Sequence, residues 1–193
     1  MNDILKFILM WLVYFSLHSF MASIAFKKII LNLSPWLHQN YRIFYNLVSI
    51  LGLLYILLML ATTPSDQILT GSPILKFLGL ALATWGIIFL KLSFKEYSIR
   101  EFLGIKKETQ GKQLSLNGIL KQVRHPIYTG TILIVSGFFL FNPKMLNLVT
   151  LICVVIYIII GIQLEEQKLE MEFGDDYRKY KEKVPMLVPR FKR

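Results

Sequence analysis

Five near-continuous apolar runs, Ile4 to Phe26, Ile43 to Ala61, Pro73 to Phe94, Ile127 to Phe141 and Met145 to Leu164, leave this chain few ways to fold. About 20 helical residues cross a hydrocarbon core at about 1.5 Å rise per residue. Inside lipid, each such segment must satisfy its own backbone hydrogen bonds, which favours helices. Of the 193 residues, 54% are hydrophobic, too many for an ordinary soluble domain of this size. The expectation is an all-α integral membrane protein with five transmembrane helices, folded as a single domain over residues 1–193. The fourth run is short. Its 15 or so residues reach only about 23 Å, so its polar start is expected in the interface. Asn142 and Pro143 mark a tight turn, making the last two spans an antiparallel helical hairpin.

Positive charge gives the orientation. Lys27, Lys28 and Arg42 fall between the first two runs, seven Lys or Arg lie between the third and fourth, and eight follow the fifth. The other side carries little beyond Lys6, Lys76 and Lys144. By the positive-inside rule the N-terminus is outside, while the segment from Lys95 to His125 and the tail from Glu165 are cytoplasmic. The net charge of +10 is therefore a consequence of topology, and with no soluble domain to carry a basic face, no nucleic-acid partner is expected. The first run is too long for a signal-peptide core and is followed by Lys27 and Lys28, so it reads as a span. Cys153, the only cysteine, lies within the fifth run, which excludes an internal disulfide and a thiolate metal cluster. No metal site is expected.

The hairpin brings its two polar ends to one membrane face. Arg124, His125, Pro126 and Tyr128 open the fourth span, and Glu165 and Glu166 close the fifth. Ionisable groups at that depth are costly and suggest a pocket between hydrocarbon and cytosol. Short helices are expected near Phe94 to Leu103 and over Gly118 to Val123. In the tail, the helix should continue to Phe173, with Gly174 as a left-handed cap and Asp175 as a new N-cap before a second helix ending ahead of Pro185. Phe173, Tyr177, Tyr180 and Val184 form an apolar stripe on this cytosolic amphipathic tail, which is expected to pack on the hairpin.

The stretch LSLNGILKQVRHPIYTG, then FNP, then LEEQKLEMEFGDDYRKYKEKVPMLVP closely resembles the isoprenylcysteine carboxyl methyltransferase family and the related phospholipid methyltransferases. The resemblance covers roughly the C-terminal 80 residues, and it is the ordered combination of motifs that makes it specific. The segment LVYFSLHSFMAS in the N-terminal half is similar to bacterial relatives, among them a denitrification-associated membrane family and a methanethiol methyltransferase family. The resemblance implies S-adenosylmethionine bound by residues from about 95 to 193, at the cytosolic ends of the last two spans. It implies His125, Tyr128 and Glu165 as cofactor ligands, with Gly118 and Val123 in the preceding segment and Arg124 as a candidate for direct chemistry. Glu166 is then expected to be solvated or paired with Arg124 or Lys168. Donors for the cofactor carboxylate would come from His125, Tyr128 and the backbone N–H groups at the start of the fourth span. Methyl transfer is an in-line displacement that needs alignment and exclusion of water but no covalent protein intermediate.

Prenylcysteine methyltransferases tend to carry an Arg about one turn before the acidic pair, to receive the substrate carboxylate. Gly161, Ile162 and Gln163 stand there in this chain. A phospholipid amine or a small thiol thereby becomes as plausible an acceptor as an isoprenylcysteine carboxylate, unless Arg124 or Arg100 substitutes. NADPH-dependent sterol reductases resemble the same ends but typically carry an Arg-Asp pair and a Cys where this chain has Glu165, Glu166, Phe173 and Gly174, so methyl transfer is favoured over hydride transfer. A non-enzymatic, haem-related protein of the respiratory membrane would need two His at matching depth. His18 lies about 12 Å inside its span, whereas His125 lies at a boundary. The expected role of His18 is a hydrogen bond to Tyr14, Ser16 or Ser19, with lining of an acceptor pocket as the alternative. The expected location is the bacterial inner membrane, with lipid and a lipophilic acceptor as partners. Gly52, Gly79 and Gly86 are expected to permit close helix contact, and Tyr41, Arg42 and Tyr45 to be interfacial anchors.

Overall fold

The computed structural model describes residues 3–33, 35–96 and 116–189. Its helices are α1 (Asp3–Ala22), α2 (Ile24–Leu33), α3 (Pro35–Thr62), α4 (Pro73–Glu96), a 3₁₀ turn (Gly118–Lys121), α5 (Pro126–Phe141), α6 (Met145–Phe173) and α7 (Asp175–Lys183). The helix expected over Phe94 to Leu103 lies, beyond Glu96, outside the described residues, as does Arg100. Four helices are long and apolar enough to cross a membrane: Asp3–Ala22, Asn40–Thr62, Pro73–Glu96 and Met145–Phe173. The shorter apolar α5 is the expected fifth. The protein is a multi-pass integral membrane protein.

The first apolar run does not form one helix. It breaks at Ser23, whose Oγ accepts a hydrogen bond from the Phe26 N–H at 3.2 Å and so caps a separate α2 that carries Lys27 and Lys28. The second span begins earlier than its apolar run, because Pro35 is tolerated in the first helical turn.

The chain forms two compact units, α1 to α3 and α4 to α7. In the first, the Tyr14 ring lies so close to Gly52 that an added Cβ would sit 3.1 Å from it, and the Tyr14 hydroxyl donates to the Ser49 carbonyl at 3.2 Å. His18 finds its partners across the helix pair. Its Nε2 lies 2.7 Å from the Tyr45 hydroxyl and its Nδ1 lies 3.0 Å from Ser49 Oγ, while the Tyr14 ring stacks on it. The expected neighbour Tyr14 thus meets the ring by stacking, and polar groups of α3 supply hydrogen bonds to both ring nitrogens. Tyr41 is buried and donates to the Met21 carbonyl, which ties α3 to α1.

In the second unit, α4 and α5 pack backbone to backbone. A Cβ on Gly79 would meet the Gly137 carbonyl at 2.6 Å, and one on Gly86 would meet the Gly130 carbonyl at 2.6 Å. The four glycines occur in two pairs spaced seven apart, so the same face of each helix is flattened at both contacts. At the far end of the hairpin the Ile68 N–H donates to the Pro143 carbonyl, and the Asn147 side chain closes the turn through the Asn142 carbonyl at 2.6 Å.

The 29 residues of α6 extend about 43 Å, more than a hydrocarbon core of about 30 Å requires. Its apolar run ends at Leu164, so Glu165 to Phe173 project past the core. Gly174, with φ +54°, separates α6 from α7. Only glycine adopts this backbone readily, and it caps both helices itself, which puts Asp175 inside α7 instead of at the expected N-cap position. There Asp175 bonds Arg178 at 3.1 Å. Tyr177 and Tyr180 are buried as the stripe requires, and the Tyr180 hydroxyl donates to the Leu120 carbonyl at 2.7 Å.

Candidate functional site

Three segments converge at the polar end of the hairpin: the start of α5, the extension of α6 beyond Leu164, and α7 with the strap that follows it. Pro126 sits in the first turn of α5, where no intrahelical N–H is required, and His125 is the cap residue before it. This places Arg124 and His125 just outside the helix, with side chains free to turn towards α6.

Glu166 is the hub. Its Oε1 accepts from Arg124 Nε at 2.9 Å and Nη2 at 2.8 Å, and lies 3.0 Å from His125 Nε2. Its Oε2 lies 3.1 Å from Lys181 Nζ, and the same ammonium bonds Glu170 at 2.7 Å. Glu166 is 8% exposed. Of the expected partners Arg124 and Lys168, the structure gives Arg124, and Glu166 is not solvated. Burial opposes ionisation of its carboxyl, yet the hydrogen bonds with His125, Lys181 and Arg124 and the Arg124 charge outweigh it, so the carboxyl is held below its ordinary range.

Glu165 is placed differently. Its side chain is 44% exposed, and Oε2 lies 3.6 Å from His125 Nδ1. Burial again opposes ionisation, but the polar and charge interaction with the adjacent His125 ring and the Tyr128 hydroxyl hold this carboxyl below its usual range. The His125 and Tyr128 rings stack with centroids 5.6 Å apart. Each Glu therefore faces one side of the His125 ring: Glu166 is enclosed, whereas Glu165 remains open.

The strap after α7 closes over the start of α5. The Arg124 and His125 N–H groups donate to the Pro185 and Met186 carbonyls at 2.9 and 3.2 Å. The Thr129 hydroxyl donates to the Leu187 carbonyl at 2.8 Å, and Arg124 Nη1 donates to the Lys181 and Val184 carbonyls at 2.9 and 2.6 Å. Two N–H groups expected to serve an anion are thus taken by the chain's own tail. The Arg124 guanidinium, 9% exposed, bonds Glu166 and the strap carbonyls.

Of the other residues singled out from the sequence, Val123 is fully buried and packs in the core. Gly118 is exposed, has φ +51°, and lies against the Glu96 carboxylate, so that an added Cβ would require the Glu96 side chain to shift. His18 belongs to the first unit and has both ring nitrogens hydrogen-bonded. Sequence reasoning passed over Lys181 and the strap carbonyls. The mixed charges of α7 offered no signal to single out one lysine, and main-chain acceptors have no signature in a sequence.

Residues 71–176, more than half of the chain, match the phospholipid methyltransferase family. Among individual relatives, a methanethiol S-methyltransferase of Pseudomonas deceptionensis is 35% identical over 117 residues, 56% of this chain and 43% of the relative. Methanethiol S-methyltransferase 1 of Bradyrhizobium diazoefficiens is 40% identical over 87 residues, 44% of this chain and 29% of the relative. Methanethiol S-methyltransferase 2 of the same organism is 31% identical over 182 residues, 90% of this chain and 68% of the relative. The chain thus spans less than half of the first two relatives and about two thirds of the third. The matched stretch contains the α4–α5 glycine pairs, Arg124, His125, Tyr128 and both glutamates, and the chain belongs to the phospholipid methyltransferase family.

Proposed function

We propose that this protein, acting as one domain over residues 1–193, transfers a methyl group from S-adenosylmethionine to a small lipophilic thiol at the cytosolic face of a bacterial inner membrane, with its N-terminus outside and its C-terminus inside. The observation that carries the reading is the unequal pair: Glu166 locked into the fold, and Glu165 left half-exposed beside His125 and Tyr128. The donor set suits the cofactor. Its sulfonium and amino groups call for a carboxylate, which Glu165 supplies, and its carboxylate and hydroxyls call for polar partners such as the Tyr128 hydroxyl and the His125 ring. Gly118 and Val123 contribute through the backbone that leads to this cluster.

When bound, S-adenosylmethionine would supply a sulfonium methyl group for in-line transfer to the thiol sulfur, the methyl–sulfonium bond breaking to leave a neutral thioether as the thiol proton is lost to solvent. The residues hold the frame for that alignment. Arg124 and Lys181 fix Glu166, Glu166 fixes one edge of the His125 ring, and the ring together with Tyr128 fixes Glu165. The strap carbonyls exclude water from the start of α5.

The thiol is preferred as acceptor on two grounds. The named relatives are methanethiol S-methyltransferases. Where a carboxylate-bearing substrate would call for a cation, Ile162 is buried at 1% exposure, Gly161 is open and Gln163 is exposed and neutral. A small uncharged acceptor needs no ion partner there. His18 is left out of this reading, since its nitrogens are already engaged by Tyr45 and Ser49.

The test is calorimetric titration of S-adenosylmethionine into detergent-purified protein, followed by transfer of labelled methyl groups to a short alkanethiol, a phospholipid amine and a prenylcysteine. Saturable binding with label on the thiol is expected. Label on the prenylcysteine alone would reject the thiol, and absence of binding to folded protein would reject the enzyme.

A further inference from the structure

Tyr177 and Tyr180 are three residues apart on the buried face of α7, with ring centroids 5.9 Å apart, yet their hydroxyls have opposite fates. The Tyr180 hydroxyl has an acceptor in the Leu120 carbonyl at 2.7 Å. The Tyr177 side chain is the larger anomaly: it is 1% exposed, and its hydroxyl has no hydrogen-bond partner among the described residues. A buried unpaired O–H is a cost that a phenyl ring of the same shape would avoid.

The surroundings explain why no side chain takes that proton. Tyr177 is within electrostatic reach of Glu166, Arg124 and Glu165. Arg124 is itself a donor, and the Glu166 oxygens already serve Arg124, His125 and Lys181. Glu165 is turned to His125 and Tyr128. Burial first, and then the negative charge of Glu166, keep the phenol protonated well above its ordinary range, so at neutral pH it can act as a donor.

We infer that the Tyr177 hydroxyl is reserved for the ligand, and that it donates a hydrogen bond to a carboxylate or hydroxyl oxygen of the sulfonium nucleoside held beside Glu165. This deepens the proposed function and rests on it. Tyr177 would then join His125, Tyr128 and Glu165 from a third segment of the chain, so that α7 supplies a ligand contact as well as a cover. The strap and the Lys181 link hold α7 in place for this, and cofactor binding should in turn tighten α7 against α6.

The experiment is calorimetric titration of S-adenosylmethionine into wild-type, Tyr177→Phe and Tyr180→Phe proteins, with unfolding temperatures of each measured without ligand. The expected result is a roughly tenfold weaker affinity for Tyr177→Phe, about the loss of one neutral hydrogen bond, with an unfolding temperature equal to or above wild type. Tyr180→Phe should show the reverse, lower stability with a smaller change in affinity. Repeating the titration with 5′-methylthioadenosine, which lacks the amino-acid portion, locates the oxygen: a tenfold loss that persists assigns it to the ribose, and one that disappears assigns it to the carboxylate. Wild-type binding with an unchanged Tyr177→Phe affinity would overturn this inference alone, as would a Tyr177→Phe protein that unfolds at lower temperature without ligand. Folded wild-type protein that binds no S-adenosylmethionine would overturn the proposed function, and this inference with it.

Discussion

Arg124 and Glu166 stand 42 positions apart and meet on a single oxygen, with Nε and Nη2 of the guanidinium at 2.9 and 2.8 Å from Oε1. Both side chains are about nine-tenths buried. Breaking such a pair leaves an uncompensated charge in a poorly solvated place. Arg124→Ala should therefore destabilise the protein by about 3–5 kcal/mol, read as a lower unfolding temperature in detergent. A loss within experimental error would mean that Lys181 alone compensates Glu166.

The same cluster sets an acid limit. The Glu166 carboxyl is held below its ordinary value of 4.5, so its contribution to stability is complete above that value and is lost as pH falls through the lower folded-state value. Wild-type stability should decline steeply below about pH 4.5, and Glu166→Gln should lack that part of the decline. Unfolding temperatures measured from pH 7 to pH 3 should thus converge at the acid end. Parallel profiles would show that other carboxylates control the acid transition.

The spans were legible because a 20-residue apolar run has few alternatives in water or lipid, and the hairpin was legible because Asn142 and Pro143 can do little else but turn. The break at Ser23 was not legible. Its apolar flanks continue the pattern, and only the Ser23 cap on Phe26 reveals the new helix. The site was half legible. Arg124, His125, Tyr128 and the two glutamates announced themselves by type and place, but adjacent helical residues differ in direction by about 100°, and no local signal says which of Glu165 and Glu166 turns to Arg124. That choice is made by α7, which brings Lys181 to Glu166 and the Pro185 and Met186 carbonyls to Arg124 and His125. Tertiary acceptors of this kind leave no trace in composition or period.

The glycine contacts between α4 and α5 allow a sharper test of packing. A Cβ on Gly137 would lie 2.5 Å from the Gly79 carbonyl and 2.7 Å from the Ala83 nitrogen, both backbone atoms that cannot move aside singly. Gly137→Ala should cost about 1–3 kcal/mol through forced separation of the helices. Gly161, on α6, has nothing within 4 Å of its added Cβ. Gly161→Ala should be neutral or stabilising by up to about 1 kcal/mol, because alanine favours the helix. Thermal unfolding of the two variants side by side separates a contact glycine from a spare one, and equal losses would contradict the close packing of α4 on α5.

The division of labour between the two glutamates predicts opposite phenotypes for the same chemical change. Glu165 is half-exposed and faces His125 and Tyr128, and little else in the fold depends on its charge. Glu165→Gln should leave the unfolding temperature nearly unchanged while weakening S-adenosylmethionine binding by the worth of a charge-assisted hydrogen bond, about 1.5–3 kcal/mol or roughly 10- to 150-fold. In Glu166→Gln, an amide replaces one acceptor oxygen of a carboxylate that serves Arg124, His125 and Lys181, so the stability should fall first and binding only as a consequence of the loosened His125 ring. The measurement is affinity plotted against unfolding temperature for both variants. Points on opposite arms of that plot support Glu165 as the ligand carboxylate. If Glu166→Gln instead loses binding with full stability, the two roles are exchanged, and the ligand enters from the side of Arg124 and the strap.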